Sequence, residues 1–375
     1  MAFTINDASP SLDETEDQTP KRSRSANYAL IRQVWPWVFL IVLVIGFTIA
    51  SKEMNDVNFL TNRTMQGILM YCSQILLIAL GETLIIIAAG IDLSVGWVLG
   101  SSAVMAALVM QTLHASGASP IVTVLCGIAG GLLISIVPGF FNGVLIAKVK
   151  VPPFISTLGM GILIEGVALL ISGGYPVAKQ PPYLGELGNN SLIYYWAGHG
   201  VSFFRMPAEA KTGDFSSIVP ILPNVVFITI LVTIVIWFIL AKTQFGQHLY
   251  AIGGNFEAAM RAGIPVHRTL IKVYTIGGLL AGIGGVLWAA RFTSGAYNAG
   301  ETTVLTSVAA VVIGGASLFG GEGTIVGTIV GSLIIATITF GLVVLGVVPF
   351  WQYVAVGLVL ILAVIVDQFG RNLSK

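Results

Sequence analysis

The hydrophobic residues of this chain do not alternate with polar ones. They run together in ten apolar stretches, at about residues 34–50, 66–89, 95–110, 120–147, 153–171, 223–241, 269–290, 303–318, 324–345 and 350–366. Most approach the roughly 20 residues that an α-helix needs to cross the hydrocarbon core of a bilayer. In that core every backbone N–H and C=O must be satisfied within the protein, and a helix does this segment by segment. The pattern therefore predicts an all-α, polytopic membrane protein of about ten transmembrane helices. Its expected parts are a disordered N-terminal tail (1–33), a first transmembrane half (34–171), an outer loop (172–222), a second half (223–367) and a short tail (368–375).

Composition narrows the class further. The chain is 55% hydrophobic and 9% charged, where soluble domains carry roughly a quarter charged residues. A net charge of +1 gives no sign of a nucleic-acid partner. Cys72 and Cys126 both fall in apolar stretches, and the four histidines (His114, His199, His248, His267) are scattered, so neither a disulfide framework nor a metal site is expected. No Gly-x-x-x-x-Gly-Lys-Ser/Thr phrase occurs, so the chain is not its own P-loop ATPase, and no catalytic residue or resident cofactor is expected. The first 27 residues are polar and end in Lys21-Arg22-Ser23-Arg24, a lead that fits a tail before a signal-anchor span and no cleavable signal.

Charge sets the orientation. Ten spans from a cytoplasmic N-terminus put twelve of the eighteen Lys and Arg residues on the cytoplasmic side and six outside, which obeys the positive-inside rule. Both termini and the polar stretch 242–268 then lie in the cytoplasm. That stretch contains Glu257-Ala258-Ala259 and, four residues on, Gly263 before Ile264-Pro265. Glu and Ala favour helix, and the Gly and Pro stop it. A short helix held in water between two spans is either an ordinary connection or a surface offered to another protein.

The two halves also share phrases. Residues 149–154 (VKVPPF) and 345–350 (LGVVPF) each lead into the last span of their half. Residues 89–92 (AGID) and 299–302 (AGET) each join a half's second and third spans. Five spans per half require opposite topologies, the inverted repeat of transport proteins, whose substrate path runs beside broken helices. The candidate pathway residues are therefore Asp92 and Ser94 at the first break, Glu301 and Thr302 at the second, and the intramembrane acids Glu82 and Glu165. Acids in a span normally face the protein interior. Asp92 fits either a helix cap or a contact to sugar hydroxyls. The glycines from Gly314 to Gly331 read as close helix packing. In the outer loop, Tyr183, Tyr194, Tyr195, Trp196, Phe203 and Phe204 fit either a headgroup-zone belt or a docking surface, with Glu186, Glu209 and Asp214 as its acids.

Four phrases in order resemble the permease subunits of carbohydrate ABC importers of the ribose/xylose/arabinose type: AGIDLSVG (89–96), PFISTL (153–158), FGQHLYAIGGNFEAAMRAGIPV (245–266) and AAVVIGGASLFGGEGTIVGTIVG (309–331). The resemblance implies a permease that works as a pair in the bacterial inner membrane, with an identical or related second copy. It also implies separate ATP-binding subunits and a periplasmic sugar-binding protein that delivers a monosaccharide. By the same resemblance Glu257, Ala258, Ala259 and Gly263 contact the ATPase. Two departures, the long outer loop and Glu301-Thr302-Thr303 in place of a Tyr-Glu-Leu phrase, leave the particular sugar open. An ABC permease for nucleosides or branched amino acids is an alternative, as is an ion-coupled transporter using Asp92, Glu82 and Glu165.

Overall fold

The first transmembrane helix of the chain, α1 (Arg22–Asn55), begins twelve residues before the apolar stretch does. Residues 22–33, expected as disordered tail, are helical, since Ala26, Ala29, Leu30 and Ile31 favour helix and no glycine or proline interrupts before Pro36. The computed structural model describes residues 22–207, 217–348 and 350–374. The rest of the expected tail (1–21) and the loop acids Glu209 and Asp214 lie outside the described residues.

The apolar stretches become helices with defined starts. α2 (Asn62–Ile87) follows Thr61, which accepts the Thr64 N–H. α4 (Pro120–Val144) follows Ser119, which accepts the Val122 N–H, and has proline at its first position. α12 (Ile325–Val344) follows Thr324, which accepts the Gly327 N–H. Each of these hydroxyls satisfies a donor that has no partner within its helix. The set is completed by α3 (Val95–Ala115), α5 (Pro153–Ser172), α7 (Asn224–Lys242), α10 (Val266–Phe292), α11 (Thr303–Ile313) and α13 (Phe350–Ser374), with α4 extended by a π-helical turn at Leu145–Val149. Among the described residues, eight helices are long and apolar enough to cross a membrane. The expected span 303–318 is not one of them. α11 has 11 residues, about 17 Å of helix, which covers only about half of a bilayer core. Gly314 and Gly315 end it early.

α2 is the central helix, buried along most of its length. α10 and α12 pack against it, with α11 and α7 beside them. The packing recurs between the halves: α4 lies on α10 as α12 lies on α2, α3 on α10 as α11 on α2, and α5 on α3 as α13 on α11. The shared phrases fall at matching turns. Lys150 before α5 and Gly346 before α13 both adopt left-handed backbone, at φ +65° and +70°. α11 and α12 approach through glycine, where a Cβ on Gly314 would meet the Gly327 carbonyl at 2.2 Å and one on Gly331 the Ala310 carbonyl at 1.8 Å.

The outer segment is folded, contrary to its reading as a loop. It holds α6 (Pro182–Asn189) and three strands, β1 (Ser191–Trp196), β2 (Gly200–Phe203) and β3 (Ile218–Pro223). They form an antiparallel sheet in the order β2-β1-β3. Tyr194, Trp196 and Ile218 bury against one another beneath it, and Trp196 stacks on His199 at 3.7 Å. The aromatic and β-branched residues of 191–203 (Ile193, Tyr194, Tyr195, Trp196, Val201 and Phe203), divided by Gly198 and Gly200, carry this signal. Tyr195, Phe203 and Phe204 remain exposed. Cys126, read as buried in its span, is exposed on α4, while Cys72 is buried.

Candidate functional site

Two helices occupy the polar stretch between α7 and α10: α8 (Gln244–Gly254) and α9 (Phe256–Arg261). α9 is closed at both ends. Asn255 accepts the Ala258 N–H at 2.9 Å. At the other end the Gly263 N–H reaches the Met260 carbonyl at 3.0 Å and the Ile264 N–H the Ala259 carbonyl at 3.1 Å. This paired closure is the Schellman arrangement, which needs a left-handed residue, and Gly263 supplies it at φ +80°. Ala259 is buried, whereas Phe256, Glu257 and Met260 are exposed. Glu257 and Arg261 form an exposed i,i+4 pair at 3.6 Å, of small stabilising value. The helix thus shows two apolar side chains to solvent from a rigidly capped frame.

α8 joins this frame to the bundle. A Cβ on Gly253 would meet the Ile87 carbonyl at 1.8 Å, so glycine alone lets α8 lie against the end of α2. The Gly321 N–H donates to the same carbonyl at 2.9 Å. The Tyr250 hydroxyl donates to the Gly323 carbonyl at 2.7 Å. Burial raises the Tyr250 hydroxyl above its ordinary range, which keeps it a donor.

The first break, between α2 and α3, gathers three predicted residues. Asp92 Oδ1 accepts the Ser94 N–H at 2.8 Å and the Ser94 hydroxyl at 2.5 Å. The carboxylate therefore holds Ser94, the residue immediately before α3, and does not cap the helix directly. Three residues not singled out earlier extend the cluster. Asn142 Nδ2 donates to Ser94 Oγ at 3.0 Å, and Ser156 Oγ to Asn142 Oδ1 at 3.2 Å. The Leu93 N–H donates to Thr157 Oγ1 at 3.2 Å. Asn142 was legible as the lone amide in a 28-residue apolar stretch, 120–147. Glu82 stands one and a half turns before the end of α2, wholly buried, and interacts electrostatically with Asp92 and Tyr274. Asp92 and Ser94 are each 1% exposed.

The second break is an extended segment between α10 and α11 that runs down the side of α3. Cβ atoms built on Gly295, Gly100 and Gly300 would meet the Ala103, Tyr297 and Gly96 carbonyls at 2.5, 1.9 and 2.4 Å. The outer segment ties to this break, since the Val177 N–H donates to the Gly295 carbonyl at 2.7 Å and the Gly295 N–H returns to Val177 at 3.0 Å. Glu301 and Thr302 are exposed, outside the Asp92 cluster. Glu165, expected to face the interior, is half-buried on α5 among exposed apolar neighbours Ile162, Leu163 and Leu170 and stands apart from both breaks.

A helical membrane bundle with two internal breaks and an external capped helix is the architecture of a transporter subunit. Residues 64–364 match the permease component of branched-chain amino acid transport systems, and the chain belongs to that family. It is 35% identical over 360 residues to the ribose import permease protein of Bacillus subtilis (strain 168), covering 95% of this chain and 98% of that protein. The fructose import permease protein of Rhizobium meliloti is 34% identical over 89% of this chain and 86% of its own length. The L-arabinose ABC transporter permease protein of Azospirillum brasilense is 34% identical over 94% and 92%. No solved structure matches. The chain is thus a multi-pass membrane protein and a transporter subunit.

Proposed function

We propose that this chain is the membrane-spanning subunit of an ATP-driven importer of a monosaccharide. It works beside a second permease copy, with ATP bound and hydrolysed on separate ABC subunits and the sugar delivered by a periplasmic binding protein. The observation that carries the ATP-driven reading is the exposed, doubly capped helix Phe256–Arg261, seated through Gly253 on the end of α2. Glu257, Ala258 and Ala259 form its body and Gly263 its fixed exit, so a partner that moves α9 also moves the end of the most buried helix in the bundle. The sugar class is supported by relatives that import ribose, fructose and arabinose and align along nearly the whole chain. The family description itself keeps a branched amino acid as the second reading. The bias of Lys and Arg supports a bacterial inner-membrane orientation with both termini in the cytoplasm.

In this reading the two halves are inverted repeats, and the path runs beside the breaks, where Glu301 and Thr302 face open space and present oxygen acceptors for sugar hydroxyls. Ser94, Asp92 and Glu82 form the sealed backing of that path. The outer sheet and its exposed aromatics are the landing surface for the binding protein, linked to the second break through Val177 and Gly295. The test is uptake of labelled ribose, fructose, galactose and arabinose into proteoliposomes that hold the permease with its ATPase. ATP inside and a sugar-loaded binding protein outside should both be required. Uptake driven by an ion gradient with no ATPase present would overturn the proposal in favour of ion-coupled transport.

A further inference from the structure

Glu82 and Asp92 are 0% and 1% exposed, and they lie close enough to interact. The ion pairs among the described residues are Lys52–Asp56 and Glu257–Arg261, so no cation contacts either acid. Their hydrogen bonding is unequal. Asp92 Oδ1 accepts two bonds from Ser94, which stabilise a negative charge there. No hydrogen bond of ordinary geometry reaches Asp92 Oδ2 or either oxygen of Glu82, the one donor facing Glu82 being the Asp92 backbone N–H, whereas Asp92 has Ser94 and the Asn142 amide beside it. The Tyr274 hydroxyl of α10, in a side chain 1% exposed, also lacks a protein partner and interacts with both acids. It sits directly over the first break, since a Cβ on Gly90 would lie 2.4 Å from it.

Two carboxylates so close in an apolar interior do not both stay ionised, because each charge opposes the other and burial opposes both. A protonated carboxyl gains a donor that a carboxylate lacks, and Asp92 Oδ2 is a free acceptor beside it. We infer that this site binds one proton, held on Glu82 and shared toward Asp92, with Tyr274 as the neighbouring hydroxyl donor. The proton leaves a single negative charge at the break, placed on Asp92, where Ser94 and, behind it, Asn142 support it. The other elements packed on α2 bring no competing charge to this point. α12 faces it through the Thr83–Thr328 hydroxyl pair at 2.6 Å. α11 holds no titratable residue. On α7, Lys242 in the last turn is exposed and lies beside Trp237, and on α8 the Tyr250 hydroxyl is taken by Gly323. On α10, His267, Arg268 and Lys272 are exposed and Arg291 lies in the last turn.

The inference concerns the sealed backing of the path and holds whichever solute is carried. Infrared spectra of the purified permease–ATPase complex at neutral pH, in an ester-free maltoside detergent, read it directly. Wild type should show the carbonyl stretch of a neutral carboxylic acid, shifted in deuterium oxide. The band should vanish in Glu82→Gln and persist, moved in frequency, in Asp92→Asn. A neutral-acid band that vanishes in Asp92→Asn and remains in Glu82→Gln would overturn the placement of the proton. Absence of any such band in wild type would overturn the site itself. A band that emerges only when sodium is replaced by a large organic cation would show a metal ion in the proton's place, and would also overturn it. These wild-type readings stand even if a variant fails to fold.

Discussion

Gly263 gives the sharpest test of the capped helix α9, because its role separates backbone from side chain. Its φ is +80°, and a Cβ built on it meets nothing within 4 Å. A substitution there clashes with no neighbour, so the entire cost is the left-handed backbone. That cost is about 1–2 kcal/mol for an ordinary L-residue, rising for a β-branched one and shrinking for Asn, which visits this region readily. α9 has six residues, too few to be stable by itself. It depends on the Asn255 cap and on the two closing bonds from Gly263 and Ile264. A penalty of 1–2 kcal/mol on that closure lowers the properly ended population by a factor of about 5–30.

The expected order of ATP-coupled uptake is therefore wild type, then Gly263→Asn, then Gly263→Ala, then Gly263→Val. Membrane insertion should be equal throughout, because no buried packing changes. Uptake and ATP hydrolysis are measured together in proteoliposomes of matched permease content, so that loss of coupling is separated from loss of protein. Wild-type coupling in the Val variant would refute the argument. So would an Asn variant as poor as Val, since that order follows side-chain bulk at a docking face and not backbone strain.

Gly300→Ala should destabilise the bundle by about 1–3 kcal/mol as an overpacked site, because its Cβ would lie 2.4 Å from the rigid Gly96 carbonyl; thermal unfolding in detergent checks this, and an unchanged midpoint would sink it. In a background with the exposed Cys126 replaced, Thr302→Cys should react quickly with a water-soluble thiol reagent and Ser94→Cys slowly, as their exposure requires. Equal rates in the resting complex would remove the distinction between an open and a sealed break.

Much of this fold was legible because apolar stretches of membrane length have few alternatives to helix. The eighth stretch misled, since its last residues, 314–318, are small or apolar yet begin with two glycines, and glycine ends a helix that hydropathy alone extends. The outer segment misled for another reason. Its strands are four to six residues long, and their exposed aromatics fit a membrane edge as well as a sheet. At the site, sequence pointed to Asp92, Ser94 and Glu82 because charge in an apolar stretch is conspicuous. It missed Asn142, Ser156 and Tyr274, whose roles depend on α4, α5 and α10 converging on one point, which no local spacing encodes. Glu165, half-buried on α5, shows the same limit, since a polar residue within a span announces a cost but not the direction it faces.

The two breaks are alike in position and unlike in support. The first is fastened from within, by Asp92, Ser94, Asn142 and Ser156, and it abuts the end of α2, on which α8 sits through Gly253. The second is fastened from outside, by the paired bonds between Val177 and Gly295. The second break comes nearest the first at the start of α3, Gly96 against Gly300, where each glycine's missing Cβ makes room for the other's carbonyl. A displacement of the segment around Val177 therefore reaches Gly295 and, along the same break, Gly300, which lies against Gly96 and the start of α3. A displacement of α9 reaches α8, the end of α2 and the other end of the same break. Contiguity alone does not make coupling; an element with two arrangements is needed. The segment 88–94 is the place for one, because it joins both routes and holds its acids without a cation.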